Sequence, residues 1–411
     1  MGDQFGFPYG TGASTRAYGY ATALHQNGAR VKVLCVEPSE SPEEPLNTQA
    51  KGVYAGIEFE YTYGRVSRPT AKGQRLWLKA TKWGRFVRSA RDWAVGAGGL
   101  DAIIVYSRSL TWIAAAAVAC RATGALFIHE DCELPFVWRR DNARTRRERW
   151  LYEHVAFKAF DGCLVISTYL QAYCSRFLRE SARALLVPII VDVSQVTPND
   201  AGDVAIAERV SFCGSLDHPE VLALFEAFAA VADDFPDVRL QVIGAAKWPR
   251  SLDALHGLAG RLGITQRIEF AGQVKREDLF DLLRAARLLV LPRPAGAFSQ
   301  AGLPTKVGEY LATGRPVVVT AVGDLPLYLR DGVDAYLAPP DDVPAFAERL
   351  RYALSHQDEA TAVGRRGRET ARERFDPRVH GARILAFIEE LERARAGSSP
   401  RPAVASRRDG R

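Results

Sequence analysis

Residues 291–319, LPRPAGAFSQAGLPTKVGEYLATGRPVVV, carry the punctuation of an α/β domain. An apolar run ends at Leu291, and a loop with Arg293, Gly296 and Gly302 follows. A helix is expected to begin near Pro304, a residue favoured in the first helical turn. It stops at Gly314, and a new apolar run follows Pro316. Strand, loop, helix and strand in so short a space form the unit of a parallel sheet covered by helices. The amides at such a helix start, with the helix dipole behind them, make an anion site. Lys306 in the first turn and Arg293 in the loop would add two cations, which suits a diphosphate. Glu309, three residues beyond Lys306 and one turn deeper, would set a carboxylate where ribose hydroxyls can donate to it. Taken singly, the three also fit a surface lysine, a loop arginine and an ion-pairing glutamate; it is their conjunction at a strand end that points to a ligand.

The same alternation continues on both sides. In the second half, strands are expected at 209–213, 239–243, 267–270, 288–291 and 316–320, with terminal helices over 343–396. The first half is looser. A helix at 13–26 precedes a strand at 31–36 and an irregular basic region. Strands at 102–106, 125–129, 163–166 and 184–187 then alternate with helices at 110–121, 144–160 and 168–178. Residues 188–208, which contain Pro188, Pro198, Asn199, Asp200 and Gly202, break the pattern and read as a connection. The expected division is an N-terminal doubly wound domain at 1–190 and a C-terminal one, carrying the anion site, at 191–375. A terminal helix at 376–396 would pack back toward the N domain, and 397–411 would be a disordered basic tail. Two doubly wound domains facing each other leave a cleft between the carboxyl ends of their sheets, where ligands bind in such folds. Dehydrogenases, phosphorylases, epimerases and transferases all share that plan, so fold does not settle function.

Composition narrows the field. The 411 residues are 47% hydrophobic and 25% charged, as in a soluble globular protein. Six dispersed cysteines without a C-x-x-C pair read as reduced thiols, and the seven histidines form no cluster, so no metal site is expected. No signal peptide or apolar run long enough to span a bilayer is present, which leads to the expectation of a cytoplasmic protein, peripheral at most at the inner face of the cell membrane. Charge is uneven: residues 1–190 carry 25 Lys and Arg against 17 Asp and Glu. The excess concentrates between Arg65 and Arg91, with nine basic residues, no acidic one, and Trp77, Trp83 and Phe86 among them. Such interleaving suits an anionic membrane or a polyphosphate-linked acceptor, and equally a solvated helix face. Without a recognition motif, nucleic acid is not expected. The cluster Arg139, Arg140, Arg144, Arg146 and Arg147 could hold a phosphorylated acceptor or simply face water.

Several segments in order, VSFCGSLDHPEV, RLQVIG, IEFAGQVKREDL, the stretch from 291 and VGDLPLYLRDGVDAYLAPPDD, make residues 209–345 resemble a retaining glycosyltransferase of family 4, with the GT-B fold. The first half is similar more loosely, through FPYGTGASTRAYGYATAL, IHEDCELPF and CLVISTYLQAY. The resemblance implies an α/β, GT-B architecture: two Rossmann-like doubly wound domains facing a central cleft. It implies transfer of a sugar from a nucleoside diphosphate sugar to a saccharide or lipid-linked saccharide hydroxyl, with retention, of the kind used in cell-envelope polysaccharide synthesis. Glu309 would correspond to the second glutamate of the family's pair and hold the ribose. Gly272 and Val274 would border the base, Gly244 the neighbouring turn, and Gly10, Gly12 and Ala13 would face the donor from the N domain. Gly214, Ser215, Gly302, Leu303, Thr305 and Lys306 complete the expected donor site. His129 and Glu130, at the end of a strand, would stand on the acceptor side as catalytic groups together with Lys306 and Arg293.

The chain also departs from the family. Ala301 occupies the first glutamate's position, and the Arg and Lys expected after Gly214 are missing, with Ser215 in place of the Arg. Arg293 and Lys306 are therefore expected to supply the diphosphate charge. No D-x-D-like motif sits in a suitable place, so the expected chemistry uses neither metal nor cofactor. The glycine loop follows Met1 almost at once, where the family has a strand first; a central gap in the N-domain sheet is expected, with either an earlier start or an incomplete domain. Two other readings stay open: a non-catalytic or truncated GT-B scaffold, and a nucleotide-sugar epimerase or phosphorylase of the same fold.

Overall fold

The structure, a computed structural model, describes residues 2, 5–10, 12–43, 45–137, 139–197 and 205–397. The expected tail from 398 onward, and Pro198, Asn199, Asp200 and Gly202 of the connection, lie outside the described residues.

The N domain runs α1 (Gly12–Gln26), β1 (Lys32–Cys35), β2 (Lys51–Tyr54), β3 (Ile57–Tyr61), α2 (Lys72–Ala97), β4 (Ala102–Val105), α3 (Leu110–Thr123), β5 (Leu126–Asp131), α4 (Ala143–His154), β6 (Gly162–Val165), α5 (Thr168–Ser175) and β7 (Arg183–Leu186). β4–β5–β6–β7 is a parallel sheet, and β1–β3–β2 a second one with β2 antiparallel. Between β1 and β4, Gly2 alone among the described residues bridges the two, pairing with Cys35 and Tyr106. The β2–β3 hairpin and the helix α2 replace the irregular region expected there. In β3, Ile57, Phe59 and Tyr61 are buried while Glu58 and Glu60 point outward, the alternation of a half-buried strand.

The C domain follows with β8 (Ala207–Cys213), α6 (Glu220–Ala232), β9 (Arg239–Ile243), α7 (Pro249–Arg261), β10 (Ile268–Gly272), α8 (Arg276–Ala285), β11 (Ala286–Leu291), α9 (Ala297–Ala301), α10 (Thr305–Ala312), β12 (Val317–Thr320), α11 (Leu325–Tyr328), β13 (Tyr336–Ala338), α12 (Val343–Ser355) and α13 (Gln357–Arg374). Its six strands form one parallel sheet in the order β10–β9–β8–β11–β12–β13. Strands such as β11 and β12 are buried along almost their whole length, so they read as continuous apolar runs rather than alternating ones. Helix α12 starts where the Asp342 side chain caps its free amides by accepting from Ala345 N.

The last helix, α14 (Pro377–Gly397), crosses back to the N domain. Its Ile384, Phe387, Ile388 and Leu391 pack with Tyr20 and Leu24 of α1 and with Leu126, Ile128 and Leu164 of the sheet. The connection is tied at both ends. Arg16 of α1 donates to Val187 O and Pro188 O, and Arg368 of α13 donates to Val193 O, Val196 O and Ala312 O. The domains also touch directly. Ser167 donates from its hydroxyl to Ala301 O at 2.5 Å, and Thr168 donates through N and Oγ1 to the Asp324 carboxylate, both at 2.7 Å.

Candidate active site

The carboxyl ends of β8, β9 and β11 and the first turn of α10 open onto a cleft of about 1070 Å³, whose opposite wall is the loop before α1. Gly10, Gly12 and Ala13 line it from the N domain; Gly214, Ser215, Gly244, Val274, Arg293, Gly302, Leu303, Thr305, Lys306 and Glu309 line it from the C domain. Gly244 adopts φ 140°, and any Cβ there would collide with Gly214 O, so this turn can close on Gly214 only as a glycine.

Lys306 rises from the first turn of α10 into this corner. Its ammonium lies 5.2 Å from the Phe212 ring centroid and 3.7 Å from Glu220 Oε1, and a Cβ at position 214 would run into it. Arg293, on the strand-to-helix loop, is almost wholly buried with its guanidinium 4.3 Å over the Phe298 ring. Its Nε has no hydrogen-bond partner among the described residues. Burial pulls its pKa below the ordinary value, with Glu220 and Glu133 partly offsetting this through space. A buried guanidinium with no carboxylate in contact is costly unless an anion completes it. Glu309, one turn into α10, is 8% exposed and still lines the cleft.

Other site residues were missed from sequence. His218 lines the cleft and stacks on Phe298, with centroids 6.1 Å apart and planes at 13°; burial lowers its pKa and keeps the ring neutral. Glu220, buried at the start of α6, faces Lys306, and Glu133 and Cys132 reach in from the N domain. The signal available for Cys132 and Glu133 was position, directly after the end of β5; His218 and Glu220 stand further along, between β8 and the first turn of α6.

Three expected positions are not at the cleft surface. Gly272 stands behind it, its carbonyl accepting from Gly244 N at 2.8 Å. His129 and Glu130 do not reach it either, because β5 runs on to Asp131 and the strand's cleft end falls at Cys132 and Glu133. The His129 ring is fully buried, stacked on Phe160 at 4.6 Å, with Nε2 2.6 Å from the Tyr152 hydroxyl. Burial and the nearby Arg108 hold its pKa down to about 3, so it stays neutral. Glu130 points the other way and accepts from Arg16 Nε at 3.0 Å in a buried ion pair. Both are parts of the core rather than acceptor-side groups. Ala301 is likewise fully buried, its carbonyl spent on Ser167.

Residues 207–356 match the family described as Glycosyl transferases group 1, and residues 11–189 match the Glycosyl transferase 4-like domain. With both domains matched in order, the chain belongs to the family 4 glycosyltransferases of GT-B fold. Among curated relatives, the D-inositol 3-phosphate glycosyltransferase of Mycobacterium sp. (strain KMS) is 32% identical over 203 residues, 47% of this chain and 44% of the relative. That of Streptomyces griseus is 34% identical over 163 residues, 37% of this chain and 32% of its own length. The chain thus spans less than half the length of these relatives. Among solved structures, sucrose-phosphate synthase from Thermosynechococcus elongatus superimposes with TM-score 0.69 at 18% identity, covering 93% of this chain and 94% of that one. Anabaena HepE in complex with UDP-glucose does so with TM-score 0.67 at 16% identity, covering 94% and 98%. At that identity the likeness is one of fold.

Proposed function

We propose that the chain transfers a sugar from a nucleoside diphosphate sugar to a hydroxyl of a saccharide or lipid-linked saccharide, with retention of configuration. The observation that carries this is Arg293: a buried cation without a carboxylate in contact, beside Lys306 and the α10 amides, in a cleft large enough for a nucleotide sugar. The diphosphate would lie against these groups and Glu309 would accept from the ribose. As the glycosidic bond breaks, the departing diphosphate gains charge, and fixed cations and amides aimed at it lower the barrier. Two side-chain cations and a helix terminus can neutralise that charge, so the proposed reaction needs no metal. With His129 and Glu130 enclosed, the groups nearest an acceptor are Glu133 and Cys132 across the cleft.

The solved relative holding UDP-glucose makes UDP the first nucleotide to try, and relatives named for inositol 3-phosphate put phosphorylated polyols among the acceptors to try. The test is release of nucleoside diphosphate from a panel of donors, with and without acceptors and with a chelator present. Acceptor-dependent release that survives chelation supports the proposal. The non-catalytic reading has one observation in its favour: the Glu220 carboxylate beside Lys306 subtracts from the charge a diphosphate would meet. Donor binding without release from any donor and acceptor pair would favour it.

A further inference from the structure

Helix α2 has 26 residues, yet only Leu78, Phe86, Ala90 and Ala94 of it are buried. The outer side carries Leu76, Trp77 and Trp83, exposed at 72%, 56% and 38%. Leu76, Ala80, Trp83 and Val87 follow one another by four, three and four residues and so share one face. Val95 and, on α3, Val118 extend this face, with a shallow groove between the two helices lined by Trp83, Val87, Val95 and Ala115. Lys72, Lys79 and Arg91 stand exposed beside it, with no carboxylate at ion-pair distance among the described residues. Of the other cations on the helix, Arg75 donates to Pro69 O, and the rest are engaged with rings or with single acids. Arg85 sits 4.4 Å over Trp77, Lys82 lies 5.1 Å from Trp83 while pairing with Glu37, and Arg88 pairs with Asp92.

We propose that this face docks the protein onto an anionic lipid bilayer, with Leu76, Trp77 and Trp83 entering the headgroup region and Lys72, Lys79 and Arg91 over anionic headgroups. Two kinds of attraction are present together, which surface attachment requires: apolar area with aromatic rings that favour the interface, and a polybasic margin. No helix among the described residues is long and apolar enough to cross a membrane, so contact would be made from one side. A symmetric dimer through the same face would set Lys72, Lys79 and Arg91 against the same three cations of a second copy, because a two-fold axis opposes identical patches. A nucleic acid would use the charge and leave Leu76 and its neighbours without a purpose. The inference stands apart from the proposed transfer reaction, since it concerns binding alone.

The test is co-sedimentation with vesicles of phosphatidylcholine, with and without phosphatidylglycerol, for the wild type and two variants. One replaces Lys72, Lys79 and Arg91 by Gln; the other carries Leu76→Ser and Trp77→Ser. All five changes fall on exposed positions, and unchanged thermal unfolding verifies the fold. The wild type is expected to bind only the anionic vesicles. Each basic residue near the surface contributes about five-fold in partition, so the charge variant should lose about a hundred-fold. The apolar variant should also lose most binding. Equal partition onto both vesicle types, or a charge variant that binds like the wild type, would overturn the proposal. An unaffected apolar variant together with tight binding of duplex DNA would overturn it in favour of a polyanion site.

Discussion

Arg293 shows how function strains a single residue. Its guanidinium is buried over Phe298 without a carboxylate in contact, an arrangement that costs stability in the empty chain. Arg293→Met should therefore leave thermal stability unchanged or raise it by about 1 kcal/mol, while removing nucleotide binding. A melt in which the variant loses several degrees would show that the arginine supports the fold instead. A second buried group sets a pH dependence. Burial pushes the Asp131 carboxyl up to about 7, with Arg108 opposing, and its Oδ1 has no partner among the described residues. Unfolded, this carboxyl titrates near 3.8. Between those two values the folded chain keeps a proton that the unfolded chain has released, so this group costs stability increasingly as pH rises from about 4 to about 7, and a constant amount above. His129 acts in the opposite sense: with its folded pKa near 3 against 6.5, its share of stability is lost as pH falls through that range. Asp131→Asn should raise the melting temperature at pH above 7 and leave it unchanged near pH 4, since the amide oxygen can still accept from the Tyr152 hydroxyl, which donates to Asp131 Oδ2 at 3.4 Å. No difference between the two pH values would mean that Asp131 is ionised in the folded protein.

Among the elements, the junction of α5 with the loop before α11 couples the two domains. Asp324 is 5% exposed and takes two hydrogen bonds from Thr168. Asp324→Ala would leave the Thr168 amide unpaired inside the contact, a loss of about 1–3 kcal/mol. Calorimetry should then show a lower melting temperature, and splitting of the transition would identify the contact as the link between the domains. On the other side of the connection, Arg16→Met would strand Glu130 in the core without its cation, which costs about 3–5 kcal/mol. That variant should express poorly, and recovery in Arg16→Met with Glu130→Gln would tie the loss to the unpaired charge.

How much of these elements the sequence announces depends on how much of each is buried. β11 and β12 are buried nearly throughout, and their apolar runs place them within two residues. α10 is bracketed by Pro304 and Gly314, and both bounds fall within two residues of those expected. α2 is hard to read as an element, because four buried residues in 26 leave little apolar periodicity against seven cations. The β2–β3 hairpin did carry its alternation, in Ile57, Phe59 and Tyr61, but it sat in a stretch judged by its charge. In the site, glycines and cations at strand ends were legible from local spacing. The misplacement of His129 and Glu130 arose because β5 continues to Asp131, a length set by pairing with β6. His218 and Glu220 were passed over for a different reason: their proximity to Lys306 and Phe298 is long-range and leaves no local pattern.

For the molecule as a whole, the GT-B architecture places one cleft between two Rossmann-like domains, and Arg293, a buried cation without a carboxylate in contact among the described residues, sits on its C-terminal wall. The most direct measurement is a thermal-shift panel with UDP, GDP, ADP and TDP on the wild type, Lys306→Ala and Glu309→Ala. A ligand at a hundredfold over its dissociation constant adds about 2.7 kcal/mol, which is easily read as a rise in melting temperature. We expect one nucleotide to shift the wild type and to shift Lys306→Ala and Glu309→Ala far less. A cooperatively melting wild type that none of the four nucleotides shifts, or a Lys306→Ala protein that shifts as the wild type does, would contradict donor binding in this cleft.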